Sequence, residues 1–287
     1  MKLSAAKFFT PNQWGSLEKF SKFYSGTYEF NESGKRALSG ALSHYHKALI
    51  LRNLALKLIP NLDNDEFELS EYGYTSEVNS KELSAVVESI LLELYSSIDC
   101  CRKVITEIYS NYQGIPDSTQ KFFNNVNARK IDNKFPEQLI IAVQEASWYD
   151  DFRKIRDELT HLETGICSKN KDTGKISYMH TGFTVQSNYL VIEDIFSEID
   201  QTVTDVNKFL GRVFGYLLTQ LKNEPMLQFC GIYQGRLYTR HVSPHEAIDF
   251  NSGVCNDYKW FELDENPTCI FVEECGAYKK AKDLLEK

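Results

Sequence analysis

One amphipathic segment, residues 83–112, constrains the fold of this chain more than any other part of the sequence. Its apolar side chains recur every three to four residues, the spacing that places them on one face of an α-helix. The predicted buried stripe consists of Val86, Ile90, Leu91, Leu94, Ile98, Cys101, Val104, Ile105 and Ile108. Gly114 and Pro116 end the helical pattern. The sequence therefore predicts a long helix with one buried side, in a mainly α protein.

Further helical patterns, and a change of period towards the C-terminus, set the expected order of elements. Helices are predicted at 11–25 (from Pro11), 33–59, 117–126, 136–162, 192–222 and 276–286, and a long loop at 61–82. Alternating residues predict a hairpin insertion near 166–190, a second hairpin around Gln234 and Gly235, and strands at 255–262 and 268–273. We expect N-terminal helices in 1–82, a helical domain in 83–222 and a small C-terminal α+β domain in 223–287.

Charge limits the kinds of function that the chain can have. Its 287 residues include 32 Lys and Arg against 40 Asp and Glu, a formal net charge of −8. A protein that coats nucleic acid usually presents a basic face, and this sequence has no basic run longer than a pair such as Lys279-Lys280. Any RNA would therefore be bound in a local pocket, or in a groove built by more than one subunit.

The sequence also indicates the cellular compartment of the protein. The first seven residues lack the apolar core of a signal peptide, and Glu or Lys interrupts the longest apolar stretches within about ten residues. The seven cysteines follow no regular framework. We therefore expect a cytoplasmic protein with reduced thiols and no membrane partner.

The most informative short motif is Arg156-Asp157 followed by His161, at the end of the predicted helix 136–162. A guanidinium can hold phosphate oxygens with its planar fork, and an imidazole can take or give a proton near neutral pH. Arg156 and His161 are therefore the predicted catalytic residues for chemistry on a phosphodiester. They lie five positions apart, which is about 140° around an ideal helix. They share a face only if the helix loosens before His161, or they act from different subunits.

In this helical setting the motif resembles the HEPN superfamily, whose signature is an Arg, four to six residues, then a His, often with Asp or Asn directly after the Arg. The resemblance covers roughly residues 83–222 and implies an up-and-down helical bundle, on which residues 1–82 pack. It implies a metal-independent endoribonuclease that needs no cofactor and acts on RNA as a homodimer. The implied setting is bacterial antiviral defence, a toxin–antitoxin system or stress, with a regulatory or antitoxin protein as a further partner.

The resemblance also implies roles for individual residues. Arg156 would hold the scissile phosphate and stabilise its developing charge, and His161 would be the general acid–base while a ribose 2′-OH attacks. Asp157 lies four residues before His161 and would orient the imidazole on a continuing helix. Arg153, four residues before Asp157, would hold that carboxylate or add positive charge. Asp99, on the 83–112 helix, either lines the motif pocket or is solvated.

Other interpretations stay open. The Arg and the His can be ordinary cations of a helix end, attracted by the negative end of its dipole. The helical domain would then be a non-catalytic binding or scaffold module for a protein, a nucleotide or RNA. A zinc site in the tail would use His241, His245 and Cys255, although no C-x2-C pair accompanies them.

Overall fold

The computed structural model describes residues 6–7, 15–161, 164–185, 188–233 and 235–285. Most of them lie in helices, so the prediction of a mainly α protein is confirmed. The chain forms two compact units, one made of Phe30–Val213 and the other of Met1–Glu29 with Phe214–Lys287. No helix within the described ranges is long and apolar enough to span a membrane.

The elements are numbered in chain order. The helices are α1 (Ser16–Phe23), α2 (Glu32–Leu58), α3 (Leu62–Tyr72), α4 (Val78–Ile108), α5 (Thr119–Asn127), α6 (Glu137–Gln144), α7 (Tyr149–His161), α8 (Ile195–Thr219), α9 (Tyr258–Phe261) and α10 (Gly276–Leu285). The strands are β1 (Ala6–Lys7), β2 (Ile166–Lys169), β3 (Ile176–Val185), β4 (Asn188–Ile192), β5 (Met226–Tyr233), β6 (Arg236–Val242) and β7 (Val254–Cys255). The larger unit holds α2 to α7, β2 to β4 and most of α8.

Helix α4 is the centre of the larger unit. It packs against α2, α3, α5, α7 and β2. The predicted stripe is buried from Ile90 to Ile105, whereas Val86 and Ile108 are half-buried. Removing this apolar surface from water is the main source of stability that the helix offers. The predicted domain boundary at residue 82 falls within α4, and the three-part division of the chain stays a prediction.

Small residues let α2 approach α4 closely. A Cβ added at Gly40 would lie 2.7 Å from Cys100 Sγ, and one added at Gly34 would lie 2.9 Å from Glu107 Cγ. The buried positions of α2 are likewise small, apart from one leucine: Gly34, Ala37, Leu38, Ala41, Ala48 and Ala55. Because early residues of α2 meet late residues of α4, the two helices run antiparallel.

The predicted loop at 61–82 is wrong. Residues Leu62–Tyr72 form α3, and α4 already begins at Val78. One of the acidic residues that suggested a loop is structural. The buried Asp65 carboxylate accepts a hydrogen bond of 2.8 Å from the Ser80 backbone N–H. Asp65 thereby satisfies a backbone donor in the first turn of α4.

The predicted single helix at 136–162 is also wrong, since α6 ends at Gln144 and α7 begins at Tyr149. The break lets Tyr149 enter the core, where its ring stacks on Phe123 with the centroids 3.7 Å apart. Trp148, in the turn between the helices, fits the helical period, so the apolar pattern concealed the break.

In the smaller unit, the predicted hairpin is present as β5 and β6, in a sheet with the strand order β1-β5-β6-β7. Gln234, in the predicted turn, lies outside the described residues, as do Pro11 and the rest of the predicted helix start. The neighbouring Gly235 has a φ of 77°, a conformation that glycine adopts without strain. Helix α1 is described from Ser16.

The predicted strands at 255–262 and 268–273 are wrong. Pairing with β6 ends at Cys255, residues Tyr258–Phe261 form α9, and 270–274 form turns. The first and last residues of α9 are both buried, three positions apart, which is the spacing of a helix rather than a strand.

The predicted hairpin insertion is a three-stranded antiparallel sheet, β2-β3-β4. Two serines one turn apart on α4 hold its first strand. Ser80 Oγ donates to the Cys167 carbonyl at 2.6 Å, and Ser84 Oγ accepts from the Cys167 backbone N–H at 2.8 Å.

The Cys167 thiol is unreactive in this position. Burial raises its pKa to about 11, although the hydrogen bond with Ser84 partly opposes this by lowering the pKa. Cys167 is therefore a protonated thiol at neutral pH.

Replacement of Glu88 by alanine tests this attachment. The buried Glu88 carboxylate accepts hydrogen bonds from the Gly165 N–H and the Tyr178 hydroxyl, both at 2.7 Å. Glu88→Ala leaves two buried donors without an acceptor and should cost about 2–4 kcal/mol of unfolding free energy. Urea unfolding followed by circular dichroism measures the change. Ser89→Ala is the control, since Ser89 Oγ donates a hydrogen bond to the Ala85 carbonyl of its own helix and to no other residue that the structure describes. Equal midpoints for both variants would contradict the assignment.

Candidate functional site

Helix α7 carries the Arg–His motif and remains helical through His161. Arg156 and His161 are therefore about 140° apart around one helix axis and do not share a face within one chain. His161 is exposed and has no hydrogen bond or ion pair with any residue that the structure describes. Its imidazole is free to meet a ligand or a second copy of the chain.

Arg156 is held by an ion pair and an aromatic ring. Its Nη1 lies 3.1 Å from Asp157 Oδ1, and its guanidinium carbon lies 4.1 Å from the centroid of the Tyr95 ring. A guanidinium over the face of a ring is attracted by the negative π-cloud. The side chain still exposes 30% of its surface, so it is fixed without being enclosed.

Asp157 is shared between two arginines. Its second oxygen accepts a hydrogen bond of 2.5 Å from Arg153 Nη1, as the four-residue spacing predicts. No hydrogen bond or ion pair joins Asp157 to His161, both of which are within the described residues. In this structure Asp157 orients the arginines rather than the imidazole.

Two tyrosines from different helices lie beside Arg156. The hydroxyls of Tyr95 on α4 and Tyr149 on α7 are 2.8 Å apart and buried. Burial raises the pKa of Tyr149, the hydrogen bond with Tyr95 and the charge of Asp99 raise it further, and Arg153 lowers it. Both the burial and the bond favour the neutral phenol, so Tyr149 stays protonated at neutral pH.

Asp99 contributes charge to the same cluster. It lies one turn after Tyr95 on α4 and is half-buried. Burial alone lowers the pKa of Arg156, but the Tyr95 side chain and the charges of Asp157 and Asp99 outweigh burial and raise it. The Nε atoms of Arg153 and Arg156 are buried and have no acceptor among the described residues. Three carboxylates, those of Asp99, Asp150 and Asp157, therefore lie near the two guanidiniums, and both Nε donors remain available for a hydrogen bond.

The structure thus brings together four of the five predicted site residues and leaves the fifth apart. Arg153, Arg156 and Asp157 form one ion-pair network, and Asp99 acts on it through its charge, whereas His161 is separate. The two tyrosines, Tyr95 and Tyr149, were not predicted as site residues. The sequence did contain a clue to Tyr95: Tyr95 and Asp99, whose side chains both end in a polar group, lie one helical turn apart beside the apolar stripe of α4.

The tail residues considered for zinc do not form a ligand set. Among the described residues, no group of three or more His, Cys, Asp or Glu side chains could hold a metal ion. His245 Nε2 is 3.0 Å from the Leu221 carbonyl, a backbone contact. Cys255 instead lines an apolar cavity with Cys230, Cys269 and Cys275. Burial raises the pKa of Cys255 to about 12, so this thiol is protonated at neutral pH.

Comparison with known proteins gives no family assignment. No protein-family model matches this chain, and no match is found among curated proteins or solved structures.

The bond between the two tyrosines makes the cluster testable. Tyr95→Phe keeps the ring beneath Arg156 but leaves the buried Tyr149 hydroxyl without its partner, so unfolding free energy should fall by about 1–2 kcal/mol. Thermal and urea unfolding measure it. Tyr72→Phe is the control. Tyr72 is 75% exposed, so loss of its hydroxyl should leave the unfolding free energy unchanged. Equal stability of the wild type and Tyr95→Phe would show that the hydroxyls do not support the site.

Proposed function

We propose that this protein is a metal-independent endoribonuclease that acts as a homodimer, with the larger unit as a HEPN-like helical bundle. One observation carries the proposal: α7 presents a fixed, partly exposed guanidinium and an exposed imidazole within its last two turns. These are the two groups that cleavage of a phosphodiester by an internal 2′-OH requires when no metal takes part.

Arg156 would bind the scissile phosphate. Because Asp157 and the Tyr95 ring already fix the guanidinium, little reorganisation is needed when charge develops on the phosphate oxygens. A free edge of the planar guanidinium can make two parallel hydrogen bonds to those oxygens. Arg153, which shares the Asp157 carboxylate, adds a second positive charge nearby.

His161 would transfer the proton. A neutral imidazole accepts the proton of the ribose 2′-OH as that oxygen attacks phosphorus, the bond to the 5′-oxygen breaks, and a protonated imidazole donates to the leaving oxygen. Products would carry a 2′,3′-cyclic phosphate and a 5′-hydroxyl. No water or metal enters this step, and the atoms of RNA are only rearranged.

A dimer resolves the separation of the two residues. In a twofold dimer with two α7 helices side by side, each helix contacts its copy with the same surface, so Arg156 of one chain can face His161 of the other. Such a groove would also gather basic side chains from both chains. This concentration is needed in a chain whose net charge is −8.

The proposed setting follows from the resemblance: bacterial antiviral defence, a toxin–antitoxin pair or stress, in the cytoplasm, with a regulatory or antitoxin protein as partner. A second candidate is a non-catalytic binding module. It is favoured by the contacts of Arg156, since an arginine that pairs with Asp157 and packs on Tyr95 also stabilises the joint between α7 and α4 without any substrate.

Cleavage of RNA in EDTA distinguishes the candidates. Wild type, Arg156→Ala and His161→Ala are purified side by side and incubated with total RNA. We expect cleavage by wild type, and a loss of at least about a hundredfold in each variant because each removes a group that acts in the transition state. Mapping the product ends for 2′,3′-cyclic phosphate checks the proposed chemistry.

Matched controls exclude folding defects and contamination. Arg52→Ala removes an arginine whose side chain is 27% exposed and which pairs with one carboxylate, Asp200, as Arg156 pairs with Asp157. His241→Ala removes an exposed histidine elsewhere. Both should cleave like wild type. Equal cleavage by all five proteins would refute the Arg–His site, and no cleavage by any of them would favour the binding module.

A further inference from the structure

The larger unit has a groove that is lined by residues of α6, the α6–α7 turn and α8. It runs between the α6–α7 turn and α8, is open to solvent, and has a volume of about 270 Å³. Its apolar surface comes from two small residues, a buried ring and the indole of Trp148, and its rim carries two carboxylates and two cations. The small residues are Ala142 and Ala146, which leave room for a flat group against the aromatic side chains.

Stacked rings join this groove to Arg156. Phe209 lines the groove, and its ring centroid lies 5.7 Å from that of Phe123. Phe123 in turn stacks on Tyr149, with the ring centroids 3.7 Å apart. The Tyr149 hydroxyl is bonded to Tyr95, the ring on which Arg156 rests. Buried rings therefore connect the groove with the cluster through the core, and Trp148 directly precedes Tyr149 in the chain.

The rim has polar groups that are available to a ligand. Lys208 is exposed and has no hydrogen bond or ion pair with any residue in the described part of the chain. Arg212 pairs with Glu145 across the rim, and half of its side chain is exposed. A carboxylate beside a guanidinium offers acceptors and donors to the same ligand edge.

These groups match guanine better than the other bases. A carboxylate such as Glu145 can accept from both N1–H and N2–H of guanine, and a guanidinium such as that of Arg212 is the usual donor to guanine O6 and N7. The Trp148 indole supplies a stacking surface, and Lys208 supplies a point charge for an adjacent phosphate.

We propose that this groove binds a guanine base of the single-stranded RNA substrate whose scissile phosphate Arg156 holds. The inference rests on the proposed function, because it names a recognition subsite for that ribonuclease. It makes the enzyme selective for sites near guanosine.

Calorimetric titration of the full-length protein with mononucleotides tests the subsite separately from cleavage, because mononucleotides have no internal phosphodiester to cut. Wild type should bind guanosine 5′-monophosphate at least about tenfold more tightly than the adenosine or cytidine monophosphate. Trp148→Leu should weaken guanosine monophosphate binding by about tenfold or more, whereas Trp148→Phe should retain most of it. Trp260→Leu, in the smaller unit, is the matched control and should bind like wild type.

Lys208→Ala guards against a folding defect in the tryptophan variant, because Lys208 is exposed and has no hydrogen bond or ion pair with a described residue that the substitution would remove. It should weaken nucleotide monophosphate binding several-fold. Equal affinity of wild type, Trp148→Leu and Lys208→Ala for guanosine monophosphate would overturn the subsite, and equal affinity for all three nucleotides would overturn the guanine assignment. RNA cleavage in EDTA, measured on the same preparations, keeps the two proposals apart: binding without cleavage refutes only the nuclease, and cleavage without binding refutes only the groove.

Discussion

The burial of α4 is the constraint on which the larger unit depends. This helix of 31 residues contacts α2, α3, α5, α7 and β2, so more than half of the other helices and strands of that unit pack against it. Its apolar stripe supplies the driving force, and its polar residues must find partners because unpaired polar groups are costly in a core. Ser84 and Glu88 form hydrogen bonds with β2 and β3, and Tyr95 forms one with Tyr149 of α7. The candidate site is therefore part of how α4 is buried.

Much of the fold was accessible from apolar periodicity, and the errors have physical causes. The stripe of α4 and the pattern of α2 predicted helices that the structure contains. The acidic side chains of residues 61–82 conceal the short helix α3, and the partner of Asp65, the Ser80 backbone N–H, lies fifteen residues away in the sequence. The break before Tyr149 could not be predicted from periodicity, because it is set by the stacking of that ring on Phe123.

Some contacts of the candidate site could likewise be predicted from the sequence, and others could not. Contacts within α7, such as the pair of Arg153 with Asp157, follow from a four-residue spacing and were predictable. Contacts between helices were not, because which residues of α4 meet α7 depends on how the helices are packed. Tyr95 therefore escaped prediction although it contacts Arg156 directly. The position of His161 away from Arg156 was predictable from helix geometry, and it is the reason for proposing a site shared by two chains.

Subunit mixing tests that shared site most directly. Arg156→Ala and His161→Ala, each carrying a different affinity tag, are inactive alone and are refolded together so that their subunits exchange. If Arg156 of one chain works with His161 of the other, each mixed dimer contains one complete site, and random exchange should restore about one quarter of wild-type RNA cleavage in EDTA. Mixed dimers that are captured through both tags but do not cleave RNA, beside an active wild type, would contradict the account.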